Sequence, residues 1–144
     1  MMGLPPRFVY GLYVLQYLAW TRRPAGIREM MASSGASRAN LAAVVRQLHR
    51  TGLIRQIESS GYLLASPSEA ISILDVASAI GMGKDGKKRN PAFCLFHHRC
   101  TSSRLCSRLW AELEAAFRSL TLAEVSDTPP ALPPCMKGAR LETM

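Results

Sequence analysis

No apolar run in this chain is long enough to make a membrane helix. The longest, FVYGLYVLQYLAW at residues 8 to 20, falls short of the roughly 20 residues a span requires and is interrupted by Gly11 and Gln16. Nor does the run read as a secretory signal. Only Arg7 precedes the run, and Thr21, Arg22, Arg23 and Pro24 follow where a small-residue cleavage site would stand. A cytoplasmic protein with no membrane partner is therefore expected. In that reducing setting the four cysteines are more often metal ligands, sensors or buried packing than disulfides. There is no internal repeat and no phosphate-binding glycine motif. GMGKDG at residues 81 to 86 has the spacing of neither nucleotide fingerprint and follows a helical segment instead of a strand.

Acid is also in short supply. Ten Asp and Glu face 18 Lys and Arg, a formal charge of +8 on 144 residues, of which 48% are hydrophobic. The length suits one domain with a core of its own. The imbalance is local: between residues 21 and 56, Arg22, Arg23, Arg28, Arg38, Arg46, Arg50 and Arg55 meet only Glu29. Between residues 84 and 108, Lys84, Lys87, Lys88, Arg89, Arg99, Arg104 and Arg108 meet only Asp85. Two basic patches on one small domain favour a polyanionic partner.

The pattern along the chain is mainly α with a small β wing. Residues 8 to 20 read as a buried helix ended before Pro24, and IREMMASSG as a short helix stopped at Gly35. Ser37 can cap a third helix, in which Leu41, Val44, Val45 and Leu48 recur at helical spacing up to Gly52. Helix, glycine turn, helix is a helix-turn-helix pattern. LIRQIESSGYLLA then alternates around a turn at Ser59, Ser60 and Gly61, as a two-stranded wing would. Ser68 is the expected cap of the next helix. From Ser103 a long helix carries Leu105, Leu109, Leu113, Phe117 and Leu120 along one side, a stripe suited either to a second chain or to packing within the monomer. The expected organisation is a winged helix-turn-helix DNA-binding domain over residues 1 to 81, a cysteine-bearing loop over 82 to 108, a dimerisation helix over 103 to 126 and a disordered Pro-rich tail over 127 to 144.

In a recognition helix the first turn reaches base edges and small residues allow close approach to the major groove. With its apolar stripe turned inward, the third helix presents Ala39, Ala43, Arg46 and Arg50, with Ser37, Arg38 and Asn40 at its start. Arg38 is the candidate for guanine and Asn40 for adenine, each worth about 1 to 3 kcal/mol of discrimination when bidentate. Arg46 and Arg50 suit phosphates, which add affinity without sequence preference. Any one of these, taken alone, is equally an ordinary exposed polar residue.

The segment CLFHHRCTSSRLC sets Cys94, Cys100 and Cys106 five residues apart, with His97 and His98 in the first gap. Zinc is one reading, with His97 or His98 completing a three-cysteine set in a winged-helix protein-interaction module that does not read DNA, although closely spaced cysteine pairs are lacking. A thiol sensor is another, since Arg99, Arg104 and Arg108 favour the thiolate. Three thiolates on a loop also suit an iron-sulfur cluster given a fourth ligand. Catalysis lacks its parts: no carboxylate in the segment orients either histidine, so no enzyme is expected.

At this point the sequence resembles the Rrf-two family of bacterial winged-helix transcription regulators, over about residues 4 to 125. The likeness rests on RFVYGLYVLQYLA, GASRANLAAVVRQLHRTGLI, GYLLA, DVASAIG, LWAELEAAFRSLTLAEV and above all the evenly spaced cysteines. The resemblance implies that Cys94, Cys100 and Cys106 bind an iron-sulfur cluster, 4Fe-4S in preference to 2Fe-2S. It also implies that the last helix forms a homodimer interface and that two recognition helices address a palindromic double-stranded operator. In such a regulator, most often a repressor, the cluster reports nitric oxide, redox or iron-sulfur status. Cluster-binding relatives take a fourth ligand from a histidine shortly after the third cysteine or from an acid in the partner's first helix. Here those positions read Leu109 and Arg7, Phe8, Val9, Tyr10, leaving His97, His98, an external ligand or an open iron. The wing tip, Glu58, Ser59, Ser60 and Gly61, is also shorter than the family's basic, glycine-rich one, and the tail with Cys135 lies outside the match.

Overall fold

A computed structural model describes residues 6–81 and 103–132, the side chains of 103–107 excepted. Helix α1 (Pro6–Thr21) starts on proline, whose fixed φ suits a first helical position. Its Phe8, Tyr10, Tyr13, Val14, Leu15 and Leu18 are buried, so it is the central rod of the core, while Trp20 near its end is 48% exposed. Helix α2 (Ile27–Ser34) stops where Gly35 takes φ 71° and its N–H caps the Met31 carbonyl. Glycine enters that left-handed conformation without the side-chain penalty, which sets the tight turn into α3 (Arg38–Arg50). Ser37 caps α3 as expected, its hydroxyl accepting from the Asn40 N–H at 3.3 Å. Leu41, Val44, Val45 and Leu48 turn the apolar stripe of α3 onto α1.

The wing is an antiparallel pair, β1 (Ile54–Ile57) and β2 (Gly61–Leu64), with Ile54 opposite Leu64 and Ile57 opposite Gly61. A third segment joins it. Ala25 pairs with Tyr62, giving and receiving backbone hydrogen bonds at 3.0 and 2.9 Å. This close approach requires Gly61: at its φ of 106° an added Cβ would lie 2.4 Å from the Ala25 carbonyl oxygen.

Two expectations are corrected after the wing. Ser68 opens only a 3-10 turn (Ser68–Ala70), and α4 (Ile73–Ala79) is capped by Ser72. The Ser72 hydroxyl accepts from the Asp75 N–H at 3.1 Å while Asp75 accepts from the Ser72 N–H at 3.0 Å, a capping box that outcompetes Ser68. Helix α5 (Ser103–Ser119) is followed by a return to the core. Leu122 is buried, its N–H donates to Ile71 at 2.7 Å, and the Ile73 N–H donates to Leu120 at 2.8 Å. The Gln16 amide donates to the Val125 carbonyl at 2.6 Å, fastening the same segment to α1. The tail was expected to be disordered from residue 127, yet Leu132 is only 4% exposed and belongs to the core. Burying a leucine side chain is worth about 1.5 to 3 kcal/mol, and this contact anchors the Pro-containing segment to the core without helical periodicity.

Candidate nucleic-acid interface

Helix α3 divides cleanly into two sides. Leu41, Val44, Val45 and Leu48 are buried; Ser37, Arg38, Ala39, Ala43, Arg46 and Arg50 are exposed. The outward side thus carries three arginines separated by two methyl groups, and none of the three forms an ion pair among the described residues. Ser37 remains at the head of this face, its oxygen engaged in the cap and its O–H available as a donor.

Asn40 is the exception. Expected at a base edge, it is 6% exposed, and its side-chain amide donates to the Tyr10 hydroxyl at 3.3 Å inside the core. The reason is visible in the spacing: residue 40 lies one helical turn before Val44 and two before Leu48, on the buried row. Asn40 ties α3 to α1 and is withdrawn from the reading face. That leaves Arg38, Ala39 and Ala43 at the front of the helix.

The basic patch is smaller than the sequence implied. Arg23 is paired with Glu29, one guanidinium nitrogen donating to Oε2 at 3.1 Å and the other to Oε1. Tyr17 donates its hydroxyl to the same Oε1 at 2.9 Å. The hydrogen bond from Arg23 is the main reason the Glu29 carboxyl lies below its ordinary range, and burial is the main reason the Tyr17 phenol lies above its own. This trio links α1 and the residues just after it to α2. Arg22, Arg28 and Arg55 stay exposed.

Sequence reasoning missed His49. It is exposed in the last turn of α3, and its ring sits edge-on to Tyr62 of the wing, centroids 6.3 Å apart. The contact joins recognition helix to wing, and no local spacing rule pairs residues so far apart in the chain. The wing tip carries Glu58, Ser59 and Ser60, all exposed, with Ser59 at φ 61°. It presents no cation.

The stripe on α5 splits as well. Leu109 is 48% and Leu120 39% exposed, Leu113 is half-buried, and Phe117 stacks flat on Phe8 of α1, centroids 5.5 Å apart. Phe117, expected at a partner chain, therefore makes an intramolecular contact, because α5 packs on α4 and its C-terminal part brings Phe117 onto Phe8. Leu105 and Cys106 belong to α5, but their side chains lie outside the described residues. Cys94, His97, His98 and Cys100 lie outside the described residues altogether. Among the described residues no three His, Cys, Asp or Glu side chains gather as a metal site, and no helix is long and apolar enough to cross a membrane.

Residues 4–128 match the family Rrf2, described as an iron-dependent transcriptional regulator. The chain belongs to the Rrf2 family. No curated protein matches its sequence. Solved structures show the same fold at low identity. CymR (YrzC), the global cysteine regulator of B. subtilis, superposes with a TM-score of 0.69 at 21% identity, covering 89% of this chain and 98% of that one. An oxidized form of Staphylococcus aureus CymR gives 0.65 at 22%, covering 89% and 97%, and T. potens IscR gives 0.67 at 18%, covering 85% of each chain. This Rrf2 protein is thus a transcriptional regulator with a winged helix and a long helix following it, and its family binds DNA.

Proposed function

We propose that this Rrf2 protein is a homodimeric repressor that reads a palindromic operator with the outward face of α3 and whose operator affinity follows the state of an iron-sulfur cluster. Arg38 is the base reader, Arg46 and Arg50 the phosphate contacts, and Ser37 a phosphate donor at the helix start. Leu109 and Leu113, with Leu105, are the core of the seam on α5; Leu120 sits at its edge and Phe117 supports it from within the chain.

Cys94, Cys100 and Cys106 are the cluster ligands in this reading. The donor chemistry fits: three thiols at even spacing in a chain whose family is iron-dependent, with His97 and His98 the nearest candidate fourth donors. When bound, the group supplies a centre that nitric oxide and oxidants attack. Neither Leu109 nor the α1 residues Arg7 to Tyr10 can complete the set, since Leu109 has no donor atom and Phe8 and Tyr10 point into the core.

One observation carries the coupling. Cys106 is the fourth residue of α5, and the far end of that helix is hydrogen-bonded into the head through Leu120 and Leu122. From Cys106 to Ser119 a helix runs about 20 Å as a stiff rod, so a change at the cysteines is passed to the head as a rigid displacement. The test is to select operator sequences with the anaerobic protein and compare affinity before and after nitric oxide treatment. A change of tenfold or more is expected; equal affinity in both states would remove the cluster from control.

A second reading keeps the DNA face and dispenses with the cluster. The lack of a fourth ligand at Leu109 and on α1 favours a thiol switch at the same three cysteines. It predicts a colourless protein whose DNA binding responds to peroxide and is restored by a thiol reductant.

A further inference from the structure

An open groove of about 690 Å³ lies on the side of the head, between the end of α1, the wing and the segment that follows α5. Its size is that of a small-molecule site. Arg22 lines it from just past α1 and Arg55 from β1, Ser66 and Ser68 add hydroxyls, and Leu18 and Leu63 add apolar surface. Neither arginine forms an ion pair among the described residues, although Glu69 also lines the groove.

Arg22 occupies a costly position. It is the residue just past α1, where its N–H caps the Leu18 carbonyl at 3.2 Å with φ 52°, a left-handed conformation in which glycine is favoured. Capping alone would be served better by glycine. What glycine cannot supply is the guanidinium, and the conformation delivers that group to the same groove as Arg55, which stands on the exposed β1 position facing Leu63.

Two unpaired guanidiniums with neighbouring hydroxyls are a match for oxygen anions, which arginine grips through parallel N–H bonds. We infer that this groove binds a small carboxylate or phosphate ligand, as a second effector site built from residues other than the cysteines. The Ala123 N–H donates to the Ser68 carbonyl at 3.2 Å, and the groove is lined both by the wing, at Arg55, Leu63 and Leu64, and by the segment after α5, at Ala123 and Ser126. Binding there ties the wing to the segment that connects α5 to the head. The inference does not depend on the cluster or on the thiol switch.

The test uses the full chain, purified anaerobically and labelled for amide NMR, titrated with inorganic phosphate and separately with succinate at low ionic strength. Saturable shifts at Arg22, Arg55, Ser68 and Ala123 are expected. Arg22→Gly should weaken binding at least tenfold while its Tm stays at or above the parent's, and Arg55→Gln should weaken binding similarly. Glu69→Gln should tighten it by removing the opposing charge. Shifts confined to the α3 face, or an Arg22→Gly variant that binds like the parent, would overturn the site. Weaker binding in Glu69→Gln would overturn a purely anionic ligand, and displacement of phosphate from these amides by operator DNA would overturn the small-molecule source.

Discussion

The side-chain amide of Asn40 donates to the hydroxyl of Tyr10 at 3.3 Å, across the buried face where α3 lies on α1. A residue type that reads adenine when it is exposed on a recognition helix serves here to fix that helix on its scaffold. Replacing Asn40 with alanine removes a partner of a buried hydroxyl, a loss of about 1 to 3 kcal/mol. The expected result is a lower unfolding midpoint in urea with an unchanged base preference at every operator position. A changed preference at a single position would return Asn40 to the reading face.

Arg38 carries the opposite expectation. Arg38→Ala leaves stability within about 0.5 kcal/mol, since the side chain is exposed, but lowers the ratio of specific to nonspecific binding by about 1 to 3 kcal/mol. Arg46→Gln and Arg50→Gln each reduce the slope of log affinity against log salt by about one and leave the ratio in place. Gel-shift titrations at several salt concentrations separate the two kinds of residue.

Gly61 is held at φ 106° against the Ala25 carbonyl. Gly61→Ala forces the wing away from the α1–α2 connection and breaks the two hydrogen bonds between Ala25 and Tyr62. A fall of at least about 3 °C in Tm is expected by thermal melting. Gly26, with open space around it, is the control: Gly26→Ala should be tolerated.

Glu29 makes stability depend on acid. Its carboxyl is held below the ordinary value, chiefly by the hydrogen bond from Arg23. A carboxylate depressed in the folded state contributes above its unfolded pKa and ceases to do so as pH falls through the folded value. Arg23 is largely solvated and Glu29 is half-buried, so solvent screens the pair and the contribution is small. Urea unfolding from pH 7 down to pH 3 should show a shallower acid loss in Glu29→Gln than in the parent. Parallel curves would show that the trio with Tyr17 and Arg23 contributes nothing by this route.

Much of this architecture was legible in the chain. Gly35 and Ser37 announced the turn and cap of α3, and the alternation around Ser59 to Gly61 announced the wing, because caps and hairpin turns are local chemistry. Asn40 shares its row with Val44 and Leu48, so its burial follows from spacing, against what its polar character suggests. The Ser72 capping box was likewise present as Ser and Asp three residues apart, behind an earlier Ser68. Phe117 and Leu132 are of another kind. A stripe of apolar residues says that a surface will be covered, and only the tertiary path decides whether by α1 or by a second chain. His49 against Tyr62 joins residues with no local relation, and no pattern foretells it. The cysteine segment shows an even spacing in the sequence, and its principal residues lie outside those the structure describes, so the fold neither supports nor opposes their role.

The ligand assignment is tested by Cys100→Ala. The variant should lose visible absorption while retaining the parent's helical circular dichroism; a coloured variant would exclude Cys100.

The central claim is best tested by purifying the protein without oxygen, recording its absorption spectrum and quantifying iron, sulfide and zinc per chain. A broad visible band with iron and sulfide in near-equal amounts, bleached by nitric oxide, is expected. A colourless protein that holds zinc, or that takes up no iron after anaerobic reconstitution, would contradict it.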